Sequence, residues 1–459
     1  MSAHNAIVRA KQNAIPSIAS ISTMRYHVPQ NGYVETKMRG KGLALMGVLP
    51  LLVAAAPAPK PASWIDTTGH RIVRVDDRPG NYGLYFNYNP FTPDGKRMIY
   101  LTPEGIRVAD TSNWTTKLVL KEKIDRLLFV GNRAPVAYYS TSPIGNEAAS
   151  TIWSVDLDTG KRQRIADLPG GRIASINADD TLLAGHRELA PPPSAIAAQG
   201  NRDPKTGSPT YAANGPDGKP LPFAVAKEQW MAKRLAAGVP MEIFTIDIRT
   251  GERRTVTQSN DWLNHVLFSP SDPTLLSYCH EGPWQKVDRI WTIRTDGSAK
   301  TKVHQRTFQG EIAGHEYWAP DGRTIWYDLI QPMGVRWLAS LDVVSGKRIW
   351  YKLGEGQGSY HYSSSPDNRL FSGDGNDEGK YISLFHPRAD TNPRVPDTLD
   401  GERLIAAGDL QTERLADLSK QDYTLEPNQH FTPDGKWLVY RANVEGKPAI
   451  YAVEVAKAE

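Results

Sequence analysis

One short pattern recurs along this chain and limits what it can fold into. It is an apolar run, a turn close to Ser/Thr/Ala-Pro-Asp-Gly, and a second apolar run. The clear copies are "NPFTPDGKRMIYL" (89–101), "NHVLFSPSDPTLLSYCH" (264–280), "AGHEYWAPDGRTIWYDL" (313–329), "YHYSSSPDNRLFSGDG" (360–375) and "NQHFTPDGKWLVYRA" (428–442). Weaker ones are "IDRLLFVGNRAPVAYYS" (124–140) and "IASINADDTLLAGHR" (173–187). Asp and Gly supply the local hydrogen bonds and permissive backbone of a tight turn, and the aromatic and β-branched flanks favour strands. Several copies run on into a third and fourth strand, as in "IWSVDLDTGKRQRI" and "IFTIDIRTGERRTV". A repeated four-stranded meander predicts an all-β fold, a seven-bladed β-propeller.

Seven units over residues 59–459 average roughly 56 residues, long for a blade. The surplus lies at 188–240, where a Pro/Gly-rich stretch precedes the short helical segment "AVAKEQWMAKRLAAG". This insertion from the third unit is read as a lid or wall beside the binding face, or as an inert surface excursion. Ahead of the repeats, "MRGKGLALMGVLPLLVAAAPAPKPASW" begins at Met38 with basic residues, continues apolar and ends in small residues. That is the layout of a secretory signal with cleavage near Ala58, preceded by a 37-residue extension. Its apolar run is too short for a good membrane span. The expected mature protein is therefore a single domain, 59–459, periplasmic or secreted.

The formal charge of +4 comes from the leader: residues 1–58 carry six Lys/Arg and one Glu, leaving 48 basic and 49 acidic residues beyond it. A neutral body gives no reason to expect nucleic acid as a partner. The single cysteine, Cys279, excludes an internal disulfide and any multi-thiolate metal site.

In a propeller the first strands line the central channel, so equivalent positions face one another. Five residues before the turn proline stand Tyr88, His265, His315, His361 and Asn428. Three of the nine histidines beyond the leader thus share one register. Two residues before Asn428 is Glu426. The antiparallel second strands return His186 and Arg187, His280 and Glu281, Asp328, Asp374 and Arg441 to the same mouth, and Arg289 opens a following strand. For single residues a bland reading competes: a hydrogen-bonding staple between blades for His265 and His280, turn chemistry for Asp328 and Asp374, a structural pair with Asp288 or Glu281 for Arg289. His70, His304, His386 and His430 carry no register.

No nucleophile elbow, P-loop or dinucleotide fingerprint is present. Imidazoles with carboxylates can hold a divalent cation or work as bases near neutral pH, and Arg suits an anionic substrate. Proton abstraction next to a carboxylate uses a base together with positive charge. These groups together suit β-elimination of a uronate glycan.

The run "YCHEGPWQKVDRIWTIRTDGS", "AGHEYWAPDG", "SYHYSSSPDNRLFSGDG" and "FTPDGKWLVYRANVEGKPAIYAVEV" resembles the oligogalacturonate lyase family in order and spacing, over about residues 260–459. The resemblance implies a seven-bladed propeller that cleaves short uronate chains to a 4,5-unsaturated product with a manganese-like ion. It implies His315 as the base, Arg289 as support at the reacting centre and His361 as a metal ligand. His265, His280, His186, Arg187, Arg441 and Tyr88 are then candidates for substrate binding. The family's last ligands form a His-Pro-His run; here "LEPNQH" puts Glu426 and Asn428 in those places. These oxygen donors leave three choices: a harder ion such as calcium, no ion with Arg in its role, or a changed substrate. The expected substrate is an acidic oligosaccharide or polysaccharide. Another uronate linkage, a glycoside hydrolase using two of Asp328, Asp374 and Glu426, and a non-catalytic scaffold are the rivals.

Overall fold

The computed structural model describes residues 60–142, 149–199, 211–389 and 405–458; the leader lies outside them. The recurring turns account for the regularity of the strands. In four of them the turn Asp accepts the backbone N–H two residues on: Asp94 from Lys96 (3.1 Å), Asp321 from Arg323 (2.9 Å), Asp367 from Arg369 (3.1 Å) and Asp434 from Lys436 (3.1 Å). The next residue takes positive φ, as Gly95 (70°), Gly322 (68°), Asn368 (59°) and Gly435 (71°). Glycine does this without a Cβ penalty, and asparagine is among the few side chains that follow it. A second turn class, in "DLDTGKR" and "DIRTGER", works the same way, with Asp156 and Asp247 accepting two backbone N–H groups each.

These turns fold the described chain into strands with two α-helices, Ser194–Gln199 (α1) and Phe223–Ala237 (α2). Three sheets have four strands, covering Arg126–Pro169, Gly171–Ser259 and Trp262–Lys302. An eight-stranded sheet joins the meander Ile312–Lys352 to the meander Tyr362–Asp417 through a parallel pairing of Arg348–Lys352 with Ile405–Asp417. A five-stranded sheet pairs His70–Asp76, near the start of the described chain, with Ala449–Lys457 at its end. The two ends of the repeat array therefore lock in one sheet.

The unit at 89–121 departs from the expected meander. It holds three strands, Arg97–Thr102, Gly105–Asp110 and Thr116–Lys121, and the residues before them touch the sheet only through the isolated bridges Tyr82–Leu101 and Phe91–Met98. Tyr88 is thus not on an inner strand. Pro90 withholds a backbone donor there, and Asn89 ties itself locally through Phe91 N–H to its side-chain oxygen (3.0 Å). The freed loop carries Tyr85 and Phe86 among the register histidines.

Apolar side chains form clusters between consecutive sheets. One of them joins Phe86 to Tyr317, Trp326, Tyr362, Phe371 and Phe385, so the loop is anchored in the core. A separate cluster, Ile196, Tyr211, Ala226, Trp230 and Met231, holds the two helices together and packs on Trp262 and Trp284.

Candidate active site

The shared register is built by a shared backbone device. The strands Trp262–Phe268 and Ile312–Trp318 both bulge, with ladder breaks between Asn264 and Leu267 and between Gly314 and Tyr317. The residues inside the bulges, His265 and His315, have φ of 48°, and Asn428 has φ of 51°. Left-handed backbone is uncommon for non-glycine residues, and bulges recur beside active sites because they re-aim a side chain. His361 sits at the same register with ordinary backbone.

His315 and His361 meet edge to face, with ring centroids 5.2 Å apart. His315 Nδ1 lies 3.4 Å from Asp328 Oδ2, and its side chain is 39% exposed. Its other nitrogen has no hydrogen-bond partner among the described residues. With Nδ1–H donated to the carboxylate, Nε2 carries the lone pair, the arrangement of a general base. Burial pushes the His315 pKa down, but the Asp328 carboxylate more than offsets this and the net shift is upward.

His361 is 1% exposed and stacks on Phe86 at 4.5 Å. Its Nδ1 faces the wholly buried Asp374 at 2.8 Å, and Asp374 also accepts the backbone N–H groups of His361 (2.8 Å) and Asn428 (3.2 Å). Asp328 and Asp374, read from sequence as turn residues, are thus the carboxylate partners of the two histidines. His361 Nε2 accepts from the Tyr85 hydroxyl at 3.2 Å and stands 3.8 Å from Glu426 Oε2. Tyr85 also sets its ring against His265 at 6.3 Å. Burial, then Glu426, Glu316 and Glu281, raise the Tyr85 pKa well above that of a free phenol, so it keeps its proton.

Behind these rings lies a buried charge cluster. Arg289 bonds Glu281 (Nη1–Oε1, 3.1 Å), the structural pair foreseen for it, while Asp288 pairs with Lys302 (2.6 Å). Arg289 also lies against Gly314, whose Cβ, if present, would stand 3.8 Å from the guanidinium. Burial opposes its charge, but Cys279, Glu281 and Glu316 outweigh it and raise its pKa. Burial would raise the Glu281 pKa, yet Arg289, His265 and Lys227 hold it near 2. Glu316 is fully buried, neither carboxylate oxygen has a hydrogen bond among the described residues, and Oε1 lies 3.6 Å from His265 Nδ1. Positive and negative groups therefore face the centre at close quarters, where the local dielectric is low.

His315, His361, His265, Arg289, Glu426 and Tyr85 are brought together. Other expected residues are not. His280 points to the opposite face of its strand, between Tyr278 and Trp291, and bonds Asp261 at 2.8 Å; alternation along a strand separates it from its neighbour Glu281. It is a staple rather than a substrate ligand. Tyr88 sits on the side of Arg126 and Arg172. Arg441 lies over the Tyr82 ring (5.3 Å) in a small cavity of about 40 Å³ beside Glu426. His186 and Arg187 line a separate cavity next to the insertion. Asn428 is engaged as a stitch, its oxygen accepting Phe86 N–H (3.2 Å) and its amide donating to Glu426 O (3.1 Å), so it is not a poised metal ligand. His430, without register in sequence, donates from Nε2 to the carbonyls of Tyr85 (3.1 Å) and Tyr88 (3.0 Å) and fixes the loop. Burial pushes its pKa down to about 4, so it does so as a neutral ring. Tyr85 escaped the register because it stands on a loop three residues before Tyr88; its only sequence signal is the aromatic run "YFNYNP".

Comparisons with known proteins converge on one family. A family described as oligogalacturonate lyase matches residues 238–458. An oligogalacturonate lyase of Dickeya dadantii is 30% identical over 278 residues, 54% of this chain and 66% of that protein. An oligogalacturonide lyase of Pectobacterium atrosepticum is 29% identical over the same shares. The match thus spans just under two thirds of these relatives. The solved structure described as an oligogalacturonate lyase in complex with manganese superposes with TM-score 0.66 at 21% identity, covering 88% of this chain and 97% of the other. The oligogalacturonate lyase of Vibrio parahaemolyticus gives TM-score 0.66 at 20% identity, covering 86% and 96%. The matched stretch, which carries His265, Arg289, His315, His361 and Glu426, is similar to the oligogalacturonate lyase family.

Proposed function

We propose that this protein is a carbon–oxygen lyase that cleaves uronate oligosaccharides by β-elimination. The observation that carries the reading is the His315–Asp328 pair, a partly exposed imidazole with one free nitrogen, next to Gly314 against Arg289 and edge to face with His361, which holds the Tyr85 hydroxyl. His315 Nε2 takes the proton from C5 of the uronate. The electron pair of that C–H bond forms the C4–C5 double bond as the C4–O bond breaks, and the departing oxygen takes the Tyr85 proton. Negative charge that builds on the uronate carboxylate faces Arg289, where preorganised charge stabilises it in the transition state. The product is a 4,5-unsaturated uronate.

A divalent cation fits this site only as a shared ligand. His361 Nε2 and Glu426 Oε2 are two donors 3.8 Å apart, the first of which an ion would share with or take from the Tyr85 hydroxyl, and no group of three or more His, Cys, Asp or Glu converges as an ion site among the described residues. The remaining donors would be a substrate carboxylate and water. The ion, when bound, supplies positive charge beside the uronate.

We further propose that the meanders are the seven blades of a closed propeller, the eight-stranded sheet counting as two, and that the protein is exported after cleavage near Ala58. The eight-stranded sheet divides at its parallel pairing, which supports the first point. N-terminal sequencing of the secreted protein tests the second; an intact Met1 or Met38 would overturn it. One observation favours a linkage other than galacturonate: Asn428 is tied to Phe86 in the position the family fills with a histidine. The test is ultraviolet absorbance of the unsaturated product over a panel of uronate substrates, with and without chelator. A rise establishes elimination and names the linkage; new reducing ends without a rise would mean hydrolysis.

A further inference from the structure

Next to the centre lies a cavity of about 330 Å³ that the elimination chemistry does not use. It is walled by the strands Gly171–Ile176 and Leu182–Glu188, by α1 and α2 of the insertion, and by Trp262 and Asn264. Most of its lining lies before residue 238, where the family match begins. The size falls at the lower end of ordinary ligand pockets, roughly 300–1,000 Å³.

Its chemistry is cationic and aromatic. Arg172, Arg187 and Arg234 line it against a single acid, Glu188. Arg187 is aimed by Glu242 (2.5 Å), and Arg234 by Glu188 (2.6 Å) while it lies over Trp262 at 5.2 Å. Trp230 meets Trp262 edge to face at 5.1 Å, and its indole N–H donates to Ile196 O at 2.9 Å. A rigid aromatic wall beside held guanidinium groups suits a pyranose ring with a carboxylate, the ring against the indoles and the carboxylate on arginine. Burial, then Arg172, Arg126, His265 and Arg234, push the His186 pKa down to about 3, so it presents a neutral ring to a ligand.

One residue links the cavity to the centre. Asn264 lines it, adjoins His265 in sequence and donates to Glu281 Oε2 at 3.4 Å. From the insertion, Lys227 sits over Trp284 at 5.0 Å and contributes to holding Glu281 ionised.

We propose that this cavity is a second uronate subsite, built by the insertion and the third meander, which binds a further acidic sugar of the chain being cleaved at the centre and selects longer chains. The proposal rests on the lyase reading. The experiment compares kcat/KM on di-, tri- and tetra-uronates for the wild type, for Arg172→Gln on the exposed rim, and for Trp230→Phe, which keeps the packing of α2 but shortens the wall and removes its donor. In the wild type kcat/KM rises with length; the Arg172→Gln gain falls by about tenfold while the disaccharide rate stays unchanged. Equal loss at every length, or no loss, overturns the subsite and leaves the lyase reading intact. If the wild type cleaves no uronate, the lyase reading fails, and calorimetric titration of triuronate decides the subsite: binding weakened by Arg172→Gln supports it, and no binding overturns it.

Discussion

Two histidine–carboxylate pairs stand at the same register of adjacent meanders, His315–Asp328 and His361–Asp374, yet the structure gives them opposite properties. In the first, the contact is 3.4 Å, the ring is 39% exposed and one nitrogen is open. In the second, the contact is 2.8 Å, both side chains are at most 1% exposed, and the carboxylate is also tied to two backbone N–H groups. The first pair can exchange a proton with a ligand; the second holds one tautomer and points a fixed lone pair. The residue types are the same, and burial separates a base from a positioned ligand. Phe86 and Tyr85 contribute to the difference: Phe86 stacks on His361 at 4.5 Å but lies 6.5 Å from His315, and Tyr85 meets His361 at 5.0 Å.

The comparison breaks most clearly under substitution of the two rings. His315→Ala is expected to lower kcat/KM by about 10³-fold. Its unfolding free energy from urea titration should stay within about 0.5 kcal/mol of the parent, since the ring is partly exposed. A variant that keeps full activity removes His315 from the base role. Next, Tyr85→Phe deletes the hydroxyl between His361 and the centre; kcat is expected to fall about a hundredfold with little change in KM. A pure rise in KM would make Tyr85 a binding residue. His361→Ala should act on stability as well, costing about 1–3 kcal/mol because Asp374 is left buried without its imidazole partner. Urea titration followed by tryptophan fluorescence reads this, and a loss no larger than that of His315→Ala would erase the distinction drawn between the pairs.

The smallest effect is a pH shift. The base form of His315 is deprotonated and its pKa is raised, so kcat/KM should climb with pH through a point above the ordinary imidazole value of about 6.5. Asp328→Asn removes the carboxylate that raises it and leaves burial and Arg289, which lower it. The acid limb then moves to lower pH. An unmoved limb in the pH–rate profile would assign it to another group.

The repeat itself was legible in sequence because its cause is local. Asp and a positive-φ residue make each turn within a few residues, so "PDG" and "DTG" state the strand boundaries directly. Counting back from the turn proline placed His265 and His315 at one position, and the backbone repeats there down to the same φ of 48°. The count failed at Tyr88, where no inner strand forms, and it could not see that Asp328 and Asp374 reach back to the histidines. His280 was misplaced because strand alternation sends it to the face opposite Glu281.

By itself, the sequence determined the turns, the strand repeat, the register of the imidazoles and the place where extra chain leaves the array, since each depends on neighbours within about one strand length. Only the tertiary structure decided which histidine stays open, that Tyr85 rather than Tyr88 joins them, and that the insertion walls a cavity beside His265. Those outcomes depend on burial and on contacts between residues hundreds of positions apart, such as Tyr85 with His361. Burial is a property of the packed whole, and it sets whether the same side chain moves a proton or holds one.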